Sequence, residues 1–126
     1  AFAEDSVTGI LAALAAAGEE SALRAAETIA EKSPTAVSVT LEAIRRARRL
    51  HSLDEVLEQE FRVSTRHLSA PDFAEGIRAQ VIDKDRAPSW RPAKLGEVMP
   101  SLVEEFFQES SWGSLQTVRV PSNETT

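Results

Sequence analysis

The sequence predicts an all-α domain of five or six helices, and three observations carry the prediction. Alanine is concentrated in residues 12–47, and it loses no side-chain entropy in a helix. Apolar residues recur every three to four positions between recognisable capping signals. Aromatics are few, with five Phe, two Trp and no Tyr, whereas sheets draw on aromatic and β-branched residues. The 126 residues suit one domain with one core.

The first helix is expected from about Asp5 to Ala17. Asp5 or Ser6 can cap it, Val7, Ile10, Leu11 and Leu14 form its apolar stripe, and Gly18 ends it. The second runs from about Glu20 to Lys32. Its acidic start and basic end match the helix dipole, and Leu23, Ala26, Ile29 and Ala30 give its buried face. Ser33-Pro34 opens the third, because Pro lacks an N–H that would be unpaired there anyway. It reaches about Leu50 with Val37, Leu41 and Ile44 inward. Ser52-Leu53-Asp54-Glu55 reads as a capping box for the fourth, in which each end satisfies the other's free N–H. Leu53, Val56, Leu57, Phe61 and Leu68 follow at helical spacing. A fifth covers about Pro71 to Ile82. Residues 83–96, with Pro88 and Pro92, read as an extended surface loop. Pro100 opens a short sixth helix, where Leu102, Val103, Phe106 and Phe107 form an apolar edge read as a docking surface. The domain is expected over residues 1–109. Residues 110–126 read as a flexible, Ser- and Thr-rich tail in which Leu115 to Val120 is a strand without a partner.

Net charge is −6 and the pI is about 5.0, which disfavours nucleic acid or an anionic membrane as partner. Cysteine is absent, so disulfide and thiolate chemistry are excluded. No apolar run approaches about 20 residues, so no membrane span is expected. Ala1-Phe2-Ala3-Glu4-Asp5 has neither an initiator Met nor the features of a signal peptide. The chain reads as a piece of something longer.

Residues 72–90 are the most distinctive stretch. Asp72-Phe73 leads into Glu75-Gly76 within an apolar helix, then Asp83-Lys84-Asp85, then Pro88-Ser89-Trp90. Ser33-Pro34-Thr35, Glu60-Phe61-Arg62-Val63-Ser64, Lys94-Leu95 and Glu97-Val98 stand in order around it. Together these motifs closely resemble the C-terminal third of the 3-hydroxyisobutyryl-CoA hydrolase branch of the enoyl-CoA hydratase (crotonase) superfamily. The resemblance covers the chain to about Val98. It implies a C-terminal helical cap on a crotonase-type enzyme whose spiral ββα core, with its oxyanion hole and catalytic acids, is absent from this chain. It therefore implies no catalytic residue here. The parent enzyme would be an acyl-CoA thioester hydrolase of valine breakdown, with an enoyl-CoA hydratase or isomerase as the alternative, and a non-enzymatic helical interaction module as a third. Its partners would be the N-terminal core, the acyl-CoA substrate and, in some cases, further copies of itself. Coenzyme A would enter as part of the substrate, with no separate cofactor. The location implied is the bacterial cytoplasm or the mitochondrial matrix.

Lys84 is the one binding residue the resemblance offers, as the position that reaches the adenine or phosphates of CoA. Gln80 stands where related hydratases carry an aromatic. A Lys after a helix also complements the dipole without a ligand, and Asp83 and Asp85 compete for its ammonium. Gly76 costs a helix about 1 kcal/mol relative to Ala, so a close approach should offset it. Trp90 is expected to anchor the loop. Arg45, Arg46, Arg48 and Arg49 can hold phosphates or form a solvated face paired with Glu42. His51 and His67 lack metal-ligand spacing, and no metal site is expected. Glu58 and Glu60, two apart, do not share a helix face and make a poor acid/base pair.

Overall fold

A computed structural model of the chain describes residues 6–115. Within them lie six α-helices and no named strand: α1 (Val7–Ala17), α2 (Glu20–Glu31), α3 (Pro34–Ala47), α4 (Leu53–Ser69), α5 (Pro71–Ile77) and α6 (Pro100–Glu105). Ser110 and Gly113 form an isolated antiparallel bridge.

Serines open three of the helices. Ser6 Oγ accepts from Gly9 N at 3.0 Å, Ser33 Oγ from Ala36 N at 3.2 Å and Ser52 Oγ from Glu55 N at 3.2 Å. Each satisfies a donor that the helix itself cannot reach. Ser6 is thus the cap of α1, and Asp5 lies outside the described residues. The expected box at α4 closes differently: Glu55 Oε2 accepts from His51 N at 2.7 Å, not from the N–H of Ser52. Gly18, at φ 69°, ends α1 in the left-handed region and lets α2 fold back along α1.

The expected fifth helix over Pro71–Ile82 is two pieces. α5 stops at Ile77 and continues as a π-helical turn over Arg78–Ile82. Asp83 N donates to Arg78 O at 2.8 Å and Arg86 N to Ala79 O at 3.0 Å. These wider rings end the helix without a glycine. The expected loop that follows contains a 3₁₀ turn at Leu95–Glu97.

The core corrects the expected inward faces. Its centre is Val39, Phe106 and Phe107, packed among Ala43, Val63, Ala70, Leu102 and Val103. Phe106 and Phe107 are therefore the heart of the fold and not a docking edge. The Arg46 guanidinium lies 4.0 Å over the Phe107 ring, and the His67 ring is 4.6 Å from that of Phe106. In α3 the buried residues are Pro34, Thr35 and Val39, whereas Ile44 is 50% exposed. No residue of α2 is buried, and Leu23 is exposed. In α4 the buried residues are Gln59 and Thr65, while Leu53, Leu57 and Leu68 are exposed. Gln59 Nε2 donates to Ala43 O at 3.0 Å, and the Thr65 hydroxyl lies 2.8 Å from Ser110 Oγ. α4 thus turns Gln59, Thr65 and the partly buried Val63 toward the core of this chain, and its leucines at 53, 57 and 68 face away. Only α1 buries the expected stripe, at Val7, Ile10 and Leu14.

Candidate functional site: the clamped loop after α5

Asp72 and Glu75 lie three residues apart in α5, so both carboxylates sit on one face. Each accepts a backbone N–H from the returning loop. Glu75 Oε1 takes Ser89 N at 2.9 Å, and Asp72 Oδ1 takes Arg91 N at 2.8 Å. Asp72 Oδ2 also accepts from Ser33 Oγ at 2.5 Å, which ties the loop to the start of α3. Trp90, between Ser89 and Arg91, donates from Nε1 to Glu31 O at 3.1 Å. Its ring covers Gly76: a Cβ at that position would stand 3.4 Å from Trp90 Cη2. The close approach expected at Gly76 is this indole. The anchoring expected of Trp90 is real and reaches the end of α2.

Arg78 holds the middle of the segment. Its Nε donates to Glu75 Oε2 at 2.9 Å and its Nη2 to Glu75 Oε1 at 2.6 Å, a two-pronged pairing that suits the planar guanidinium. Nη1 donates to Asp83 Oδ2 at 2.9 Å and to Asp85 Oδ2 at 2.7 Å. Asp85 Oδ1 accepts from Ala87 N at 3.0 Å. The hydrogen bonds from Arg78, and then that from Ser89 N, hold the Glu75 carboxyl down at about 2. The Ala87 N–H, and then Arg78, hold Asp85 below the usual carboxylate range. The three carboxylates raise the Arg78 pKa in turn, Glu75 first.

Lys84 stands between two of those carboxylates and is exposed. The competition expected from Asp83 and Asp85 does not arise, because both turn to Arg78. Among the described residues Lys84 has no ion-pair partner. Its backbone is left-handed, at φ 54°, as is that of Arg86 at φ 55°, a region that non-glycine residues seldom adopt. Arg78 itself was not picked out from the sequence. Its signal is the Glu75–Arg78 spacing with two aspartates within the next seven residues.

The remaining candidates resolve into structure. Arg46 pairs with Glu42 at 2.9 Å and with Glu104 of α6. Burial opposes its charge, but the hydrogen bonds to Glu42 and Glu104 outweigh that and raise its pKa. Arg46 and Arg49 line a groove of about 730 Å³ whose rim includes Asp54, Glu55 and Glu58, so the basic residues there face acids. Glu58 pairs with Arg62 at 3.8 Å and accepts Leu115 N at 3.1 Å, while Glu60 is exposed. Burial lowers the pKa of His67 against the pull of Asp72. Among the described residues no three His, Cys, Asp or Glu side chains gather as metal ligands do, and no helix is long and apolar enough to cross a membrane. Ser110 and Leu115 make the α4 contacts given above, and residues 116–126, with most of the expected strand, lie outside the described residues.

The profile of the enoyl-CoA hydratase/isomerase family matches residues 1–107. The mitochondrial 3-hydroxyisobutyryl-CoA hydrolase of Danio rerio is 40% identical over 106 residues, which are 84% of this chain and 28% of that protein. The mitochondrial enzyme of the same name from Dictyostelium discoideum is 38% identical over 85 residues, 68% of this chain and 22% of the relative. The chain thus spans about a quarter of the curated relatives it matches. The crystal structure of a carnitinyl-CoA dehydratase from Mycobacterium thermoresistibile superimposes with a TM-score of 0.80 at 46% identity, covering 87% of this chain and 31% of that one. With the family profile matched over residues 1–107 and a solved relative superimposing over 87% of its length, this chain belongs to the enoyl-CoA hydratase/isomerase family.

Proposed function

We propose that these helices are the C-terminal cap of an acyl-CoA thioester hydrolase acting on a small branched hydroxyacyl-CoA such as 3-hydroxyisobutyryl-CoA. The observation that carries the reading is an apolar surface out of proportion to a finished domain. Leu53, Leu57 and Leu68 of α4, Phe73 and Ile77 of α5, and Val81 and Ile82 of the π turn are all exposed, the last two at 64% and 69%. Large apolar side chains left in water on three successive segments are what a surface meant to be covered would show. A chain spanning 28% of a relative has a natural occupant for it: the rest of the same polypeptide. The core so covered would supply the oxyanion hole and catalytic acids, and the cap would wall the CoA side. Lys84 would contact the nucleotide end of CoA, where an exposed ammonium suits phosphate. The helices alone would then turn nothing over. The mitochondrial names of the relatives favour a matrix location, and the bacterial cytoplasm is the other setting the reading allows.

A second reading has its own support, since the 46% identical solved structure is that of a dehydratase. A parent of that kind would add or remove water and leave the thioester intact. Free-thiol release from a panel of small acyl-CoAs, with and without the upstream polypeptide, separates the two. Release only with the upstream part supports the hydrolase. Hydration or dehydration without thiol release supports the second reading. No turnover in either case favours a non-enzymatic interaction module. Thioester cleavage by residues 1–126 alone would overturn the cap reading.

A further inference from the structure

We propose that Arg78, acting through Asp83 and Asp85, is a positioning residue that holds Lys84 in its left-handed turn with the ammonium open to an anionic group. The inference rests on the Lys84 reading above and adds the device that makes it work. Two carboxylates adjacent in sequence to a Lys are its natural counter-ions. Here a single guanidinium nitrogen, Arg78 Nη1, takes both, at 2.9 and 2.7 Å. Residues 83 and 85 are thereby drawn to one point, and the residue between them adopts φ 54°. The backbone is fixed independently on either side. Asp83 N and Arg86 N donate into the π turn at 2.8 and 3.0 Å, and Ala87 N donates to Asp85 at 3.0 Å. Glu75 fixes Arg78 with two bonds from the helix side. Every charged group of the Asp83-Lys84-Asp85 turn except the Lys84 ammonium is committed within the chain. The chemistry that suits a lone ammonium on an exposed turn is a phosphate, and CoA carries phosphates at its nucleotide end.

The test exploits a disagreement in sign. Replacing Asp83 and Asp85 by Asn removes two negative charges beside Lys84, so Coulomb's law alone predicts tighter binding of a phosphate. The positioning role predicts weaker binding. Calorimetry on the complete polypeptide carrying these helices would measure coenzyme A and pantetheine, which lacks the nucleotide phosphates. Lys84→Ala should weaken coenzyme A about tenfold and leave pantetheine unchanged. The Asp83→Asn/Asp85→Asn pair should weaken coenzyme A about fivefold, again without affecting pantetheine. Arg78→Lys, which keeps the charge and loses the fork, should behave in the same way. If Lys84→Ala leaves coenzyme A binding intact, the Lys84 assignment falls and the positioning role with it. If Lys84→Ala weakens coenzyme A but the Asn pair binds it as well as wild type or better, or loses both ligands alike, only the positioning role falls. Should Arg78→Lys not fold, the Asn pair decides alone, because it leaves the Arg78–Glu75 bonds in place; circular dichroism establishes folding.

Discussion

Glu75 is the most strongly perturbed carboxylate described, and the perturbation has a direction in pH. Its folded pKa, about 2, lies below the ordinary carboxylate value. The unfolded chain therefore binds its proton first as pH falls, and the stabilisation is present above about 4.5 and lost on descent toward 2. Protonation weakens the bonds to Arg78 and Ser89 N that hold the loop carrying Trp90. Trp90 fluorescence should accordingly change as pH falls to about 2, where the folded carboxyl takes up its proton, and Glu75→Gln should remove the change; an identical acid titration in the variant would refute the assignment. Gly76 gives a second residue-scale prediction. A methyl group there meets the Trp90 ring at ordinary contact distance, so Gly76→Ala should be neutral or stabilise by up to about 1 kcal/mol through helix propensity. Gly76→Leu would displace the indole and should destabilise by about 2 kcal/mol. Chemical denaturation of both variants measures the contrast. Gly76 is legible in the sequence as an anomaly, but the packing of Trp90, fourteen residues on, over it is not.

At the scale of elements, the caps were the most readable feature, because a cap is settled within one turn of chain. Ser6, Ser33 and Ser52 each do what their positions require. Ser33 does more, since its hydroxyl also donates to Asp72 of α5, and this link across 39 residues has no local signal. Ser33→Ala should therefore cost about 2 kcal/mol, the upper end for a lost cap. Ser52→Ala, whose side chain is exposed and makes only the local bond, should cost about 0.5–1 kcal/mol. Thermal melts of the two variants should differ in that order, and equal losses would show the Ser33–Asp72 link to be energetically silent. The end of α5 was not readable for a related reason. Residues 71–82 contain no Pro or Gly after Gly76 to stop a helix, and the change to a π turn answers to hydrogen bonds closing on Arg78 and Ala79 and to the carboxylates gathered by the Arg78 guanidinium.

For the whole molecule, the division between inside and outside matters most. Phe106 is 1% exposed, and Phe106→Ala should destabilise by about 3–5 kcal/mol. Val81 and Ile82 are largely exposed, and Val81→Ser with Ile82→Ser should leave the melting temperature of residues 1–126 nearly unchanged. The same pair should reduce binding of a hydrophobic dye to the isolated chain and impair its association with the upstream polypeptide, as measured by co-purification. A large fall in the stability of the isolated chain would show those side chains to be core rather than contact surface. The apolar periodicity of α4 marks a helix in the sequence, and the structure adds that its leucines are exposed and do not fill this chain's own centre. Leu53, Leu57 and Leu68 share a spacing, and spacing carries no information about which body covers them.

The sequence by itself determined the helical class, the order of the elements, the caps and the family, because each is written in residues close together or in motifs kept in order. Only the tertiary structure decided that Phe106 and Phe107 fill the centre, that the leucines of α4 face away from it, and that Arg78 takes both aspartates from Lys84. The physical reason is that a helix fixes the angle between its side chains but not its own rotation against neighbours. That rotation is set by packing and by bonds between residues such as Arg46 and Glu104, or Ser33 and Asp72, which are distant along the chain.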